Sequence, residues 1–359
     1  MKIVIIGTRG FPNVQGGVEQ HCQNLYLAME QEKIKIIVFR RKPYINKIGT
    51  NFKSENIDFI DLPSTQIKGF ETVFHSFIST LYALKLHPDI VHIHNIGPAL
   101  FSPILKCFGI KIVLTYHSAN YEHKKWGRLA KSILKISELI ALKTANSIIY
   151  VNKFQMDKTP TKYKYKSFYI PNGIPNVIPS QNINYLKSLN IVPHQYILSV
   201  GRITEEKGFD ILIKAFAMLD TKYKLVIAGG VETEYKYLKE LKSLISPDRI
   251  VFTGYVTGEN LNQLYTNAQL YVLASRYEGF PLVLLEAMSY GLDVLVSDIP
   301  ATHLVNLNAN DYFPLEDHCT LAQRISDKLK SPKHRTYQLQ EFNWKAIAQK
   351  TFNIYKKIL

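Results

Sequence analysis

The sequence predicts an α/β protein built from two doubly wound parallel sheets, and three observations predict it. The chain has 359 residues, too many for one ordinary core and suited to two domains. Two series of short apolar runs alternate with helical stretches, which is the pattern of parallel sheets. Between the series lies Pro171-Asn-Gly-Ile-Pro-Asn-Val-Ile-Pro179, whose prolines and glycine continue neither a helix nor a central strand.

In the first series the strands read Lys2–Ile6, Ile34–Phe39, Ile90–His94, Lys111–Thr115 and Ser147–Val151. In the second they read Tyr196–Val200, Lys224–Ala228, Ile250–Phe252, Leu270–Ala274 and Asp293–Ser297. Their near-continuous apolar character is that of strands covered on both faces. Phe209–Leu219, Glu234–Ile245 and Asn260–Thr266 read as helices between them, and Glu341–Leu359 as a closing helix carrying Trp344, Ile347, Phe352 and Tyr355. The boundaries this sets are 1–175, 176–340 and a terminal helix 341–359 returning to the first domain. Sheets of this kind bind ligands at the carboxyl ends of their strands.

Composition narrows the function classes. Hydrophobic residues make up 46% and charged residues 20%, which describes a folded globular chain. No run reaches the roughly 18 apolar residues of a membrane-spanning helix, and the start lacks the long apolar region of a signal peptide. The expected location is cytoplasmic. Cys22, Cys107 and Cys319 have neither disulfide nor metal-ligand spacing. The net charge of +15 suits an anionic partner, whether nucleic acid, phosphorylated substrate or acidic membrane, and is equally what a lysine-rich composition would produce. No zinc, RNP-like or P-loop motif supports nucleic acid.

Four segments carry chemistry. In Glu278-Gly-Phe-Pro-Leu-Val-Leu-Leu-Glu286, a strand-end loop runs into a helix with Pro281 at its first position. The amides around Leu282 and Val283 then make an anion site at the positive end of that helix. Glu286 lies one or two turns on, among Leu284, Leu285, Ala287 and Met288, where a lone carboxylate needs a partner. In Gly201-Arg-Ile-Thr-Glu-Glu-Lys-Gly208, Arg202 and Lys207 follow a strand end and can neutralise a diphosphate. Gly7-Thr-Arg-Gly-Phe-Pro-Asn-Val-Gln-Gly-Gly-Val-Glu19 is a glycine loop after the first strand, but it does not make the G-x-G-x-x-G dinucleotide fingerprint. Thr115-Tyr-His-Ser118 sets His117 at a strand end; His92 and His94 stand at another, equally readable as buried structure or as cleft residues.

Glu278 to Glu286 resembles the E-x7-E signature of family-4 glycosyltransferases, and Gly201–Gly208 resembles the G-R-x-x-x-x-K-G segment of the same family. The resemblance implies the GT-B fold: two Rossmann-like domains facing across a cleft, the first on the acceptor side and the second binding a nucleotide sugar. It implies that Glu278 contacts the donor sugar, Glu286 the ribose hydroxyls, and the backbone at Phe280, Leu282 and Val283 the diphosphate together with Arg202 and Lys207. Gly16 and Gly17 close on the donor, Glu19 faces the acceptor, His117 faces the donor sugar, and the segment ending at Val256 meets the base. One departure is Asp293, where relatives commonly carry proline.

The implied activity is transfer of a hexose-type sugar, with retention, from a nucleotide diphosphate donor to a saccharide or lipid-linked saccharide in surface polysaccharide synthesis. No metal and no other cofactor is expected, and no Asp-x-Asp triplet occurs in the chain. The rival readings are another GT-B enzyme, such as an epimerase or phosphorylase, and a non-catalytic sugar-nucleotide-binding protein. Lys124, Lys125, Trp126, Arg128 and Lys131, interleaved with Leu129, Ile133 and Leu134, form a basic amphipathic stretch. It points to an anionic membrane surface, with ordinary helix packing as the competing explanation. Phe70–Leu86, rich in Phe and Leu, is a second such stretch.

Overall fold

The computed structural model describes residues 1–29, 33–45, 54–67, 70–119, 121, 127–174, 177–231, 235–244 and 246–359. Contacts divide the chain into two compact units. One comprises Met1–Gly173 with Glu341–Leu359, the other Ile174–Gln340.

The first unit holds a seven-stranded sheet of β1 (Lys2–Ile6), β2 (Lys35–Arg41), β3 (Ile57–Leu62), β4 (Ile90–His94), β5 (Lys111–Tyr116), β6 (Ser147–Tyr150) and β7 (Ser167–Tyr169). Its order is β3-β2-β1-β4-β5-β6-β7, with every pairing parallel. The second unit holds β8 (Tyr196–Val200), β9 (Lys224–Ala228), β10 (Ile250–Gly254), β11 (Leu270–Leu273), β12 (Asp293–Ser297) and β13 (Tyr312–Phe313), in the order β10-β9-β8-β11-β12-β13. All of its pairings are parallel too.

Each sheet therefore reverses direction once, between β1 and β4 and between β8 and β11. At such a reversal the loops leaving the two central strands diverge and open a crevice at the strand ends. The central strands are apolar on both faces, as β1 (Lys-Ile-Val-Ile-Ile) and β9 (Lys-Leu-Val-Ile-Ala) show, and are almost wholly buried.

Three strands escape a reading by apolar runs, and all lie at sheet edges. β3 reads Ile57, Asp58, Phe59, Ile60, Asp61, Leu62, its apolar run broken twice, with Asp61 paired to Arg40 at 2.6 Å and Asp58 to Lys35 at 2.9 Å on the neighbouring strand. β7 and β13 span three and two residues, too short to show a period. The closing helix begins at Trp344, later than Glu341. Asn343 caps it, its side-chain oxygen accepting from the amides of Lys345 and Ala346. Its buried face (Trp344, Ile347, Phe352, Tyr355) joins Cys22, Leu25 and Tyr26 of the helix Gly17–Ala28 in the core of the first unit.

Candidate functional site

In the second unit the candidate residues gather where β8 and β11 end. After β8 the chain passes Arg202, which is partly buried, and turns at Gly208, whose φ of +62° is left-handed. A Cβ on Gly208 would stand 2.0 Å from the carbonyl oxygen of Ala274. Only glycine lets this loop lie against the end of β11, and the close approach delivers Lys207 to the opposite loop. There Lys207 Nζ donates to Glu278 Oε1 at 2.6 Å, and Ser275 Oγ donates to the same oxygen at 2.6 Å.

Arg276, which the sequence did not single out, ties the two loops together. Its guanidinium donates to both oxygens of Asp210 at 2.8 Å, to the Glu205 carbonyl at 2.7 Å, and also pairs with Glu316. Its amide donates to the Glu206 carbonyl at 2.8 Å. Burial alone would raise the Asp210 carboxyl, but the Arg276 and Tyr237 hydrogen bonds outweigh it and hold it below the usual carboxylate range. Lys207 and Glu278 thus sit on two loops stitched at a fixed separation. The signal that could have found Arg276 was Asp210, an acidic residue opening a mostly apolar helix beside the lysine loop.

The helix following Glu278 runs Leu282–Ser289, and Pro281 is its cap instead of its first residue. The sequence reading was one position early, because Pro281 with ψ of 84° lies outside the helical region. Its carbonyl already accepts from the Leu284 amide at 3.0 Å. The Leu282 amide, expected to face a phosphate, is turned to the Phe280 carbonyl at 3.0 Å. Phe280 is buried, while Leu282 and Val283 are half-buried. Glu286 has the partner its apolar surroundings demand: Tyr265 Oη donates to its Oε2 at 2.9 Å. Burial pushes its carboxyl up to about 7, and the Tyr265 hydroxyl works against that rise. Val256 lies two residues beyond β10, half-buried.

In the first unit, Gly16 and Gly17 open the helix Gly17–Ala28, with Gly16 at φ +152°. A Cβ on Gly16 would stand 2.0 Å from Glu19 Oε2, so the carboxylate folds back under the loop. Glu19 Oε1 accepts from the Arg9 amide at 2.9 Å and from Thr8 Oγ1 at 3.4 Å. Glu19 is buried and shapes the glycine loop.

His117 follows β5 and is buried with His21, His92 and His94. His117 Nε2 and His94 Nδ1 are 3.0 Å apart; His94 Nε2 meets Tyr26 Oη at 2.6 Å, and His92 is held by Tyr355 at 2.6 Å and Thr115 at 2.7 Å. Burial and the neighbouring histidines hold His117 and His94 well below the usual range, so both are neutral at pH 7. The two readings left open for His92 and His94 resolve to buried structure, since neither is exposed to solvent.

Of the basic stretch, Lys124, Lys125 and Trp126 lie outside the described residues; Arg128 is exposed and Lys131 half-buried on the helix Arg128–Thr144. Asp293 acquires a physical role. With Asp311 it meets Lys328 (2.8 and 2.9 Å) and Arg335 (3.2 and 2.7 Å) in an ion quartet that ties β12 to the helix His318–Lys330.

Comparison with known proteins agrees with this layout. Residues 15–176 match the family described as Glycosyltransferase Family 4, and residues 184–341 that described as Glycosyl transferases group 1. An uncharacterized glycosyltransferase of Methanocaldococcus jannaschii is 31% identical over 196 residues, covering 50% of each chain. O-antigen chain mannosyltransferase B of Escherichia coli is 28% identical over 240 residues, covering 63% of this chain and 61% of that protein. The chain thus matches about half to three fifths of the length of these curated relatives. A sucrose-phosphate synthase of Thermosynechococcus elongatus has the same fold, with a TM-score of 0.83 over 99% of this chain and 98% of that one, at 22% identity. With one glycosyltransferase region in each half, and the E-x7-E glutamates and the paired cations at the strand ends of the second, the chain belongs to the glycosyltransferases that join a family-4 region to a group-1 region.

Proposed function

We propose that the chain transfers a hexose-type sugar, with retention and without a metal in the transfer step, from a nucleotide diphosphate donor to a saccharide or lipid-linked saccharide acceptor during surface polysaccharide synthesis. The observation that carries this is the Lys207–Glu278 contact at the β8/β11 reversal, with Arg202 in the loop after β8 and Glu286 on the helix that follows Glu278. A diphosphate leaving group needs cations as its C–O bond breaks, and Arg202 and Lys207 supply them. Lys207 waits in an ion pair with Glu278, so the cation is held in place before the donor arrives. Glu278 positions the sugar, Glu286 accepts from the ribose hydroxyls, and Val256 and the Phe280–Val283 backbone flank the base and the diphosphate. Gly16 and Gly17 close on the donor. His117, neutral at pH 7, offers a hydrogen bond to the sugar without adding charge.

In the retaining step the bond from the anomeric carbon to the phosphate oxygen breaks. The bond to the acceptor oxygen forms on the same face, and the acceptor proton passes to the departing phosphate oxygen. The kinship with an O-antigen mannosyltransferase supports the pathway reading.

A peripheral place on an anionic membrane, at its cytoplasmic face, has its own support. The helix Arg128–Thr144 leaves Leu129 77%, Ile136 53% and Leu139 61% exposed beside Arg128 and Lys135. A one-sided apolar stripe edged by cations is what an interfacial helix presents. Among the described residues no helix is long and apolar enough to cross a membrane.

Thermal melting with a panel of nucleotide sugars tests the donor reading. One sugar nucleotide should raise the melting temperature of the native chain and fail to raise that of Glu286→Ala. No shift with any of them would count against it.

A further inference from the structure

His21, His94 and His117 bring one ring nitrogen each to within 4.8 Å of the others, and all three are buried. His21 belongs to the helix Gly17–Ala28, His94 ends β4 and His117 follows β5, so three segments of the first unit converge on one point. His21 Nδ1 lies 2.7 Å from the side-chain oxygen of Asn172. That oxygen can only accept, so Nδ1 carries the ring proton and Nε2 keeps its lone pair. Yet Nε2 is buried with no hydrogen-bond partner among the described residues. A buried acceptor left unpaired is unfavourable. The His21 ring stands beside the His117 ring, their centroids 4.6 Å apart and their planes nearly perpendicular.

We propose that these three imidazoles form a site for a borderline-soft divalent cation of the Zn2+ class, and that a cation bound there switches transfer off. Three neutral nitrogen donors with no carboxylate among them suit Zn2+, Co2+ or Ni2+ and disfavour Mg2+ and Ca2+. Nitrogen atoms bound to one zinc at about 2.0–2.1 Å lie a little over 3 Å apart, close to the 3.0 Å between His94 Nδ1 and His117 Nε2.

The outer partners that fix ligand rings in known sites are also here. Asn172 accepts from His21 Nδ1, and Tyr26 Oη lies 2.6 Å from His94 Nε2. One proton lies between His94 and His117, and coordination requires that it move. If His94 carries it on Nδ1, it shifts to Nε2 and is donated to Tyr26 Oη, with no net proton released. If His117 carries it on Nε2, it shifts to Nδ1. His117, 8% exposed against 3% for His21 and 0% for His94, marks the side left for a fourth ligand.

The inhibitory consequence rests on the proposed donor-facing role of His117, because a cation held on its Nε2 would put its charge and its fourth ligand on the exposed side, where the sugar would sit. The experiment titrates the purified full chain with CoCl2 and ZnCl2, reading the cobalt visible spectrum and the calorimetric stoichiometry. Transfer is assayed in parallel. The expected result is one cobalt per chain with the intense bands of a four-coordinate nitrogen site, displaced by zinc, and zinc inhibition of transfer. His21→Gln should abolish both, and Asn172→Ala should weaken zinc binding about 10–100-fold. Absence of such a spectrum in the native chain, or binding unchanged in both variants, overturns the site. Site-specific binding without inhibition leaves the site standing and removes His117 from the donor instead.

Discussion

Arg276→Lys keeps a positive charge on the loop after β11 and removes the fork that joins it to Asp210. Lysine reaches the same carboxylate as a point donor, and it cannot hold two oxygens and the Glu205 carbonyl together. The native guanidinium makes two 2.8 Å bonds to Asp210, and both side chains are about one-fifth exposed. Charged hydrogen bonds of this kind are worth about 1.5–3 kcal/mol when intact. Solvent screening at partly exposed sites lowers that figure, so the expected loss is about 2 kcal/mol. In a unit the size of Ile174–Gln340 this lowers the melting temperature by roughly 4–8 °C.

The functional effect should be larger than the stability effect. Freeing the 204–210 loop lets Lys207 drift from Glu278, and a misplacement of about 1 Å in a positioned group can cost on the order of 100-fold in rate. Calorimetry gives the first quantity and steady-state transfer the second. An Arg276→Lys protein with native melting temperature and native kcat/KM would refute the claim that the stitch positions Lys207.

Further outcomes follow from the electrostatics. Glu286, raised to about 7 in the folded chain from an ordinary value of 4.5, should bind ribose hydroxyls best when ionised. Donor affinity should then fall as pH drops through about 7, with a flat profile in Glu286→Gln; an unchanged profile in that variant counts against the assignment. At Asp311, burial would raise the carboxyl, but Arg335 and Lys328 outweigh it and hold it below 3.8. Its contribution to stability is therefore complete above pH 3.8 and lost as pH falls through the depressed value. Asp311→Asn should cost about 3–5 kcal/mol at pH 7 by leaving two cations under-paired, and should remove that part of the acid sensitivity, as chemical denaturation across pH will show. Flotation with anionic vesicles should drop when Lys124, Lys125 and Lys131 are neutralised together; unchanged flotation ends the membrane proposal.

Much of this fold is visible in the sequence because its central strands are buried on both faces. Their apolar runs, from Lys2–Ile6 to Asp293–Ser297, need no tertiary information to recognise. Edge strands are different. β3 is half-polar because one side of the sheet ends there, and its two aspartates pair with Arg40 and Lys35 on the neighbour, which no local period reveals. The donor motifs were legible because their residues lie close in sequence and at strand ends. What joins them was not. The Arg276–Asp210 stitch spans 66 residues, and the bonds from the Arg9 amide and Thr8 hydroxyl to Glu19 exist only once the loop folds over it. The histidine cluster shows the same limit: His21, His94 and His117 become neighbours only because β4 and β5 lie side by side with the helix Gly17–Ala28 over them.

The central claim is that the residues at the ends of β8 and β11 transfer sugar from a nucleotide diphosphate. It is tested most directly by incubating the chain with nucleotide sugars and a lipid-linked or free saccharide acceptor, and following the glycosylated product by mass. The native chain should form product with one donor, and Glu278→Ala, folded as judged by its circular dichroism and melting, should form none. A Glu278→Ala protein that transfers sugar at the native rate would contradict the account.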